Sequence, residues 1–372
     1  QHEWQIGSDP RRALQHYVFQ TSNQGMTALE KLLAKQALNL ADAVDLLENR
    51  EEWQNEVFSA AQAEREAQFG NRVYIRGLIE ISCYCVNDCY YCGLRRSNPN
   101  AKRYRLSQEE ILHQAALGNK LGIRTFVLQG GEDPYFTDDR LSELDKTLKA
   151  LYPDTAITLS MGERSAASYK MLREAGADRY LLRHESADQN HYALLHPEGM
   201  SAIYRQSCLR ELKALGYQTG AGMMVGSPGQ KIEHLAQDLL FLQDLQPEMV
   251  GIGPYIHAQD TPFAERSDGD VDLTLYILAL VRLLLPIALI PATTALTTLD
   301  ESARMRALIT SANVLMPNLT PPNHRADYAI YADKKAVDLE SVEGLADLEA
   351  QLSLHGLSID MSRGDTKRRR DV

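Results

Sequence analysis

The chain has 372 residues, of which 44% are hydrophobic and 24% are charged, the ordinary composition of a globular protein. Its formal net charge of −11 argues against a nucleic acid or an anionic membrane as partner, because both require a basic face. The polar start lacks the apolar core of a signal peptide, and Arg282 and Pro286 interrupt the most apolar stretch, Leu275 to Ile290. We therefore expect a cytoplasmic protein without a membrane span, and we interpret Lys367–Arg370 as a solvated tail.

The chain is predicted to consist of three parts. Residues 1–70 form an N-terminal helical extension, because apolar residues recur there at helical spacing, as in Leu38–Asn49, and no strand-like run occurs. In residues 71–331, short apolar runs alternate with longer amphipathic ones that Gly, Pro, Asp or Ser residues bound. Residues 332–372 contain one more helical stretch, Glu340–Leu354, and a polar tail. We expect this last part to pack on the central one.

Eight short apolar runs of the central part are predicted to be strands, with seven helices between them and one after the last. This α/β pattern fits a complete (β/α)8 TIM-type barrel. A doubly wound open sheet is the alternative, but it would leave two edges of an eight-stranded parallel sheet to protect. The predicted strands are Tyr74–Ser82, Thr125–Gly130, Ala156–Gly162, Arg179–Ser186, Thr219–Gly226, Met249–Ile256, Leu289–Ala295 and Ala312–Asn318.

Four of the five cysteines lie within ten residues, which is too crowded to staple a fold of this size and indicates metal binding. Cys85, Cys89 and Cys92 follow the first predicted strand with C-x3-C-x2-C spacing. Three thiolates bind three irons of a 4Fe–4S cluster and leave an open site on the fourth iron. That site suits the amino and carboxylate groups of S-adenosylmethionine, whose C–S bond one electron can break to give a 5′-deoxyadenosyl radical. We predict one such cluster, with these three cysteines as its metal-binding and catalytic residues.

A zinc site is the alternative interpretation of the cysteines. Cys83 would then be a fourth ligand, but two cysteines separated by one residue rarely chelate one ion well. Cys83 and Cys208 are more simply interpreted as buried structural thiols.

Charged and glycine-rich segments end two further predicted strands. Gln129–Glu132 closes the second strand, where glycines allow close approach of a ligand and their carbonyls can accept hydrogen bonds from an ammonium group. Arg183 and Glu185 lie two residues apart on the fourth strand and so share its face. A charged pair inside a barrel requires a ligand or a partner. An internal ion pair without functional role remains the alternative.

Hydroxyl groups are predicted to converge at other strand ends. Thr158 and Ser160 share a face of the third strand, and Thr293 and Thr294 end the seventh. Met224 of the glycine-rich fifth strand could line the same space, although core filling is the commoner use of methionine. Each hydroxyl alone could be a satisfied core group. Together they predict a cavity for a small polar or anionic substrate.

These motifs together resemble the HydE maturases of FeFe-hydrogenase, which belong to the biotin synthase-like group of the radical S-adenosylmethionine superfamily. The similarity spans roughly Val73 to Tyr331 and involves every strand end. The segments that carry it are Ile81–Arg105, Leu128–Tyr135, Ala177–Glu185, Val250–Pro254 and Ile290–Thr294.

The resemblance implies a role for individual side chains. It places Arg205 on the carboxylate of S-adenosylmethionine and Glu185 on its ribose, and Tyr91 matches an aromatic position that flanks the adenine. The expected cofactor-binding residues are Tyr91, Gly130, Gly131, Glu132, Glu185 and Arg205. The expected substrate-binding residues are Gln129, Thr158, Ser160, Arg183, Met224, Thr293, Thr294 and His324.

The resemblance also implies a reaction and partners. The substrate would be a cysteine-bound iron carbonyl cyanide complex from the maturase HydG, and the product would pass to the scaffold HydF. Two departures are that His324 stands where a tyrosine is expected, and that no cysteine follows Cys208 to hold a second cluster. The alternatives are another enzyme of the group, such as a methylornithine synthase, or a non-catalytic iron–sulfur carrier.

Overall fold

A computed structural model describes residues 25–334 and 341–366 of the chain. Helices and parallel strands alternate through its centre, as predicted. Lys367–Arg370, predicted to be a solvated tail, lies outside the described residues. The strands are β1 (Arg72–Ile75), β2 (Gly77–Ser82), β3 (Thr125–Gly130), β4 (Ala156–Ser160), β5 (Arg179–Leu181), β6 (Gln218–Val225), β7 (Met249–Pro254), β8 (Val314–Leu315) and β9 (Ser358–Asp360). The α-helices are α1 (Ala28–Leu33), α2 (Leu40–Glu48), α3 (Arg50–Phe69), α4 (Gln108–Lys120), α5 (Asp138–Leu151), α6 (Ala166–Ala175), α7 (Gln189–Leu195), α8 (Ala202–Ala214), α9 (Ile232–Leu245), α10 (Val271–Leu284), α11 (Thr294–Leu299), α12 (Ala303–Thr310), α13 (Pro322–Arg325) and α14 (Leu345–Leu354).

Polar caps fix the starts of the helices that follow the strands. A capping box begins α4, because the Ser107 hydroxyl accepts from Glu110 N while the Glu110 carboxylate accepts from Ser107 N. Thr137 and Ser165 accept from the first turns of α5 and α6 in the same way. These caps also fix the ends of the loops that leave β2, β3 and β4, which carry the predicted site residues.

The described strands form two sheets. Strands β2 to β7 are parallel and pair in sequence order, and β1 lies between β8 and β9 in the second sheet. Single parallel bridges extend both sheets, from Leu78 of β2 to Asn318 after β8 and from Val314 of β8 to Pro291. The predicted seventh strand, Leu289–Ala295, is present only as isolated bridges. Pro291 has no N–H to donate, which prevents a regular ladder there.

The first predicted strand, Tyr74–Ser82, is wrong as a single element. It breaks at Arg76, so that β1 and β2 belong to different sheets. The Arg76 guanidinium is buried and donates to Thr125 Oγ1 at 3.3 Å and to Gly364 O at 3.1 Å. Because the strands on both sides of Arg76 are buried, the apolar pattern continues across the break and conceals it.

The polar tail predicted after Leu354 also needs correction, since part of it is structured. Strand β9 pairs in parallel with β1, and the segment after it lies beneath β3, β5 and β6. The helix predicted from Glu340 to Leu354 begins with a 3-10 turn at Val342–Gly344 and continues as α14. A three-residue strand carries too short a pattern to be recognised without its partner.

The most apolar predicted segment is a buried helix. Most residues of α10 are buried, and Tyr276 on this helix meets Phe58 of α3 edge to face, with 6.2 Å between ring centroids. Arg282 is buried on the same helix and donates to the carbonyls of Ser311 and Ala288, both at 2.8 Å. Among the described residues, no helix has the length and apolar character needed to cross a membrane.

Candidate functional site

The loop between β2 and α4, residues 83–105, carries the three predicted cluster cysteines and is named here the cluster loop. Its backbone is tied to other strand-end loops. Val86 N donates to the carbonyl of Glu132, after β3, at 3.0 Å. Gly93 N donates to the carbonyl of Ile330, near the C-terminal end of the central part, at 2.9 Å. The cysteines are therefore held at the carboxyl ends of the strands, where parallel α/β folds place their sites.

The three predicted cluster thiols are partly buried, and this burial determines when they lose their protons. Cys85, Cys89 and Cys92 are free and only partly exposed. Burial raises the pKa of all three, that of Cys92 to about 12, so the thiols are protonated until a metal compensates the thiolate charge. Leu94 N already points at Cys92 Sγ at 3.4 Å, as an amide does toward a cluster thiolate. Within residues 25–334 and 341–366, no three His, Cys, Asp or Glu side chains converge on a position for a single metal ion.

The glycine segment after β3 fits closely against the cluster loop. A Cβ atom at Gly131 would lie 2.2 Å from the Tyr84 carbonyl oxygen, so only glycine permits this approach. Gly130 borders the central cavity described below. Burial raises the pKa of Glu132, whose Oε1 accepts a hydrogen bond from Glu163 N at 2.8 Å. The three predicted residues thus lie together, but each has a different neighbour.

Arg205 on α8 is buried beside the same loop. Its side chain is 9% exposed, its Nε donates to the Glu163 carboxylate, and its Nη1 donates to Arg183 O at 2.9 Å. Burial acts to lower the pKa of Arg205, but its electrostatic interactions with the Tyr192 hydroxyl and the Glu163 carboxylate raise the pKa above the ordinary value. The guanidinium is therefore a fixed cation, and Glu163 holds it in place. The sequence analysis did not single out Glu163.

Arg183 and Glu185 meet, but not because they share a strand face. Strand β5 ends at Leu181, and Glu185 has a left-handed φ of 63° while its N–H donates to Gly222 O at 3.0 Å. Arg183 Nη2 lies 3.3 Å from Glu185 Oε2, close enough for an ion pair but without the alignment of a hydrogen bond. Neither atom has a hydrogen-bond partner. A non-glycine residue in this backbone region is strained, which is typical of positions that hold a functional side chain.

A cavity of about 360 Å³ extends from the cluster loop between the strands. Tyr91 and Cys92 form the part of its wall nearest the cluster loop, and Arg183 and Glu185 lie on the same surface. The hydroxyl of Thr293 is buried there without a hydrogen-bond partner. Of the predicted substrate-binding residues, those on its wall are Gln129, Ser160, Arg183, Met224, Thr293 and Thr294.

Two predicted substrate-binding residues lie elsewhere. Thr158 borders a smaller space of about 30 Å³ that adjoins the main cavity, and its hydroxyl has no partner. His324 borders neither space. Its ring stacks on Tyr104, with 4.4 Å between centroids, and its Nδ1 lies 3.6 Å from the Asp327 carboxylate. The expected place of His324 among the substrate-binding residues does not match this position, because its ring on α13 stacks against Tyr104 outside both spaces.

The cavity wall also includes charged residues that the sequence analysis missed. Glu80 of β2 is 1% exposed, accepts from Asn318 Nδ2 at 3.1 Å and pairs with the ammonium of Lys334. Tyr328 borders the cavity nearby. The available signal for Glu80 was a single acid within the apolar run Gly77–Ser82. Lys334 and Tyr328 lie in an irregular segment, where no periodicity indicates direction.

Comparison with known proteins gives a consistent result. Residues 79–242 match the Radical SAM superfamily. The chain is 45% identical over 315 residues to the FeFe hydrogenase maturase subunit HydE of Thermotoga maritima, which covers 84% of this chain and 89% of that protein. It is 30% identical over 299 residues to the 3-methylornithine synthase of Methanosarcina acetivorans, covering 80% of this chain and 84% of the relative. Among solved structures, methylornithine synthase (PylB) superposes with a TM-score of 0.76 at 27% identity, over 90% of this chain and 97% of that one.

Proposed function

We propose that this chain, which belongs to the HydE family of radical S-adenosylmethionine maturases, remodels a cysteine-bound iron carbonyl cyanide complex during assembly of the FeFe-hydrogenase diiron subcluster. The observation that carries this proposal is the cavity of about 360 Å³ that extends from the cluster loop and has Arg183 on its wall. The Nε and Nη2 groups of Arg183 have no hydrogen-bond partner. Cyanide and carboxylate groups accept hydrogen bonds, so such a complex would satisfy these donors.

Membership of the radical SAM superfamily implies a 4Fe–4S cluster and S-adenosylmethionine. Cys85, Cys89 and Cys92 would bind three irons, and their number leaves one iron open to the methionine moiety. The chemistry that the cofactors supply is one-electron cleavage of S-adenosylmethionine to a 5′-deoxyadenosyl radical. Anaerobic reconstitution should give about four irons per chain, the content of one cluster.

The chain's own residues would orient S-adenosylmethionine. Arg205 is a fixed cation suited to the methionine carboxylate. Glu185 Oε2 lies 3.3 Å from Arg183 Nη2 but has no hydrogen-bond partner, and it would accept from the ribose. Tyr91 would lie against the adenine, where burial raises its pKa well above the ordinary value and keeps the hydroxyl neutral. The carbonyls and carboxylate proposed to accept from the methionine ammonium belong to Gly130, Gly131 and Glu132.

The polar side chains on the cavity wall would orient the substrate. Arg183 and the hydroxyls of Ser160 and Thr293 would donate to its anionic ligands. The Thr293 hydroxyl is buried without a hydrogen-bond partner, which supports this role. The other proposed contacts are Gln129, Met224, Thr294 and, from the adjoining space, Thr158. We infer that HydG supplies this substrate and that HydF receives the product.

We also infer that the eight predicted strands form a complete (β/α)8 barrel around this cavity. The bridges at Leu78–Asn318, Met249–Leu289 and Pro291–Val314 support the inference, because they join the edges of the two sheets. Such an enclosure would exclude water and protect a primary carbon radical from quenching. The helices before β1 and the segment after the barrel would be its two extensions, as the three-part division predicts.

Maturation of FeFe-hydrogenase in vitro tests the proposal. Apo-hydrogenase is incubated with HydG, HydF, cysteine, iron and S-adenosylmethionine, with and without this chain. We expect hydrogenase activity only when the chain is present, and no activity when Arg183→Met replaces it. Equal activity without the chain would contradict the assignment.

A second candidate is the rearrangement of lysine to 3-methylornithine. Glu80, a buried carboxylate on the cavity wall, favours it, because an amino-acid substrate needs an acceptor for its ammonium group. In this chain, however, Lys334 already pairs with Glu80. Incubation with lysine and analysis of the products by mass spectrometry separates the two candidates, since only a lysine mutase gives methylornithine.

A non-catalytic iron–sulfur carrier is the remaining alternative. Such a protein would bind iron but would not form 5′-deoxyadenosine under reducing conditions. The superfamily assignment and the buried Arg205–Glu163 pair beside the cluster loop both favour the enzyme.

A further inference from the structure

The turn that carries Glu185 requires groups that hold it in place. Glu185 has a left-handed φ of 63°, which costs free energy in a residue with a Cβ atom and persists only where the surrounding structure fixes it. The backbone supplies two hydrogen bonds, from Glu185 N to Gly222 O at 3.0 Å and from Ser186 N to His184 O at 2.8 Å. Two further hydrogen bonds of this segment converge on one buried acid of α9.

This acid is Asp238, and it binds the residues on both sides of Glu185. Its Oδ1 accepts from His184 Nε2 at 3.2 Å and from Ala187 N at 2.6 Å. Gly222 N donates to His184 Nδ1 at 3.3 Å, so Nδ1 carries no proton and the Nε2–H group is the donor to Asp238. The imidazole is therefore fixed between β6 and α9, and one carboxylate oxygen spans the turn from residue 184 to residue 187.

The stability of the fold alone does not account for an acid at this position. Asp238 and His184 are both fully buried, and Asp238 Oδ2 has no hydrogen-bond partner in the described part of the chain. Burying a carboxylate costs free energy that two hydrogen bonds offset only in part, and an apolar residue of similar size would pack there at least as well. The two hydrogen bonds of Asp238 do account for it, because both end on the turn that presents Glu185.

The conformation of this turn decides where the Glu185 carboxylate lies. Glu185 borders the central cavity beside Tyr91, and its Oε2 has no hydrogen-bond partner among the described residues. The direction of a side chain follows the dihedral angles of its backbone, so an extended backbone at Glu185 would turn the carboxylate away from this wall. Asp238 does not border the cavity itself, so any effect that it has on a ligand passes through the turn.

We infer that Asp238, through His184 and Ala187, is a positioning residue that fixes Glu185 for the ribose of S-adenosylmethionine. The inference rests on the proposed function, since it takes Glu185 as the acceptor of the ribose hydroxyl groups. A carboxylate that is already held in its binding position loses little conformational freedom when the ligand arrives, which strengthens binding.

The test compares S-adenosylmethionine with S-(2′,3′-dideoxyadenosyl)methionine, an analogue that lacks both ribose hydroxyl groups. The dissociation constant of each is measured by equilibrium binding to the full chain, reconstituted with iron and sulfide and kept without reductant so that neither ligand is cleaved. The ratio of the two constants reports the hydrogen bonds to the ribose, and a general loss of stability does not change it.

Four variants separate positioning from packing. Asp238→Leu removes the acceptor and fills its place with an apolar side chain, and Asp238→Ala removes the acceptor without filling it. If only one of these two folds, that one decides. Asp238→Asn keeps an amide oxygen at the position of Oδ1. Leu245→Ala is the matched control, because Leu245 is also buried on α9 but lies about two turns beyond Asp238.

We expect the unsubstituted chain to bind S-adenosylmethionine about tenfold or more tightly than the analogue, the usual effect of a hydrogen bond to a charged group. In Asp238→Leu and Asp238→Ala, the two dissociation constants should come within about twofold of each other. Asp238→Asn and Leu245→Ala should keep most of the preference for S-adenosylmethionine. An unchanged ratio in the Leu and Ala variants, or an equal fall in Leu245→Ala, would overturn the inference.

Hydrogen–deuterium exchange of the peptide that spans residues 183–188 gives a second measurement, which needs no cofactor. Exchange should be faster in Asp238→Leu and Asp238→Ala than in Asp238→Asn, Leu245→Ala and the unsubstituted chain, because the bond to Ala187 N is lost. If the unsubstituted chain binds both ligands equally well, or neither, the proposed role of Glu185 fails. The exchange rates then still decide whether Asp238 holds the turn, and equal rates in all five proteins would contradict it.

Discussion

The two ends of the parallel strands hold their arginines in different ways. At the amino ends, here named the base, Arg179 of β5 is fully buried and donates to Thr125 Oγ1, Arg363 O and the Asp365 carboxylate at 3.0, 2.8 and 2.8 Å. At the carboxyl ends, here named the mouth, Arg183 stands only four residues later. Its Nε and Nη2 have no hydrogen-bond partner, although Nη2 lies 3.3 Å from Glu185 Oε2.

This difference indicates which end of the strands stabilises the fold and which end has hydrogen-bonding groups available for a ligand. Base charges are satisfied by the chain itself, so they hold the segment after β9 against the strands. At the mouth, Glu163 holds Arg205 and Lys334 pairs with Glu80, but two nitrogen donors of Arg183 lack hydrogen-bond partners, which a ligand would supply. The division follows the general rule for barrels, in which the carboxyl ends carry the site and the amino ends carry stability.

The largest effect that we expect from one substitution is at the mouth. Cys89→Ala removes one of three proposed cluster ligands, so iron binding and S-adenosylmethionine cleavage should fall below detection. Iron content, the visible spectrum and 5′-deoxyadenosine formation measure this loss. Cys208→Ser is the control, because Cys208 lies on α8 outside the cluster loop and should leave all three nearly unchanged. Equal losses in both variants would remove the distinction between cluster and structural thiols.

Two arginine substitutions test the comparison directly. Arg179→Met should lower the free energy of unfolding by roughly 1.5–3 kcal/mol, because it removes charge-assisted bonds to the segment after β9. Arg183→Met should change that free energy by about 0.5 kcal/mol or less, since few bonds are lost, but should abolish maturation. Urea unfolding and the maturation assay measure the two effects. A lower free energy of unfolding for Arg183→Met than for Arg179→Met would contradict the proposed difference between the base and the mouth.

A smaller effect is expected for the cofactor. Arg205→Ala removes a fixed cation from the proposed methionine carboxylate site, which should weaken S-adenosylmethionine binding by about tenfold or more, corresponding to roughly 1.5–3 kcal/mol. Equilibrium binding to the reconstituted protein gives the dissociation constant. Arg210→Ala, on the same helix but exposed, should bind normally. An unchanged dissociation constant for Arg205→Ala would exclude this residue from the site.

The smallest expected effect concerns an unsatisfied group away from the mouth. Asp145 on α5 is fully buried, neither carboxylate oxygen has a hydrogen-bond partner, and burial raises its pKa well above 3.8. Because the folded pKa is the higher one, its contribution to stability is full below about pH 3.8 and decreases as the pH rises toward the folded pKa. Asp145→Asn should therefore raise the melting temperature more at pH 8 than at pH 5.

The exposed Glu143 on the same helix provides the control for this measurement. Glu143→Gln should give a melting temperature with the pH dependence of the unsubstituted chain. A pH-independent difference between Asp145→Asn and the unsubstituted chain would show that Asp145 is not the titrating group. A pH-dependent difference would show that Asp145 is a neutral buried acid, unlike the charged groups of the mouth that we propose bind ligands.

Local sequence alone was sufficient to predict most of the alternating strands and helices and the group of three closely spaced cysteines. Alternating apolar runs and amphipathic stretches gave most strands and helices, because their periods depend only on neighbouring residues. The spacing of Cys85, Cys89 and Cys92 indicated the cluster for the same reason, and the family resemblance was confirmed by the relative from Thermotoga maritima. The specific roles of the site residues remain predictions.

Tertiary structure alone decided features that depend on distant partners. The first predicted strand divides at Arg76, whose guanidinium contacts residues far along the chain, and β9 is a strand because β1 offers it an edge. Glu185 reaches the cavity through a left-handed backbone and not through strand alternation, whereas His324 on α13 stacks on Tyr104 outside it. The Glu80–Lys334 pair joins residues 254 positions apart. Sequence periodicity records which side of an element is buried, but only the packed chain decides what each buried side chain meets.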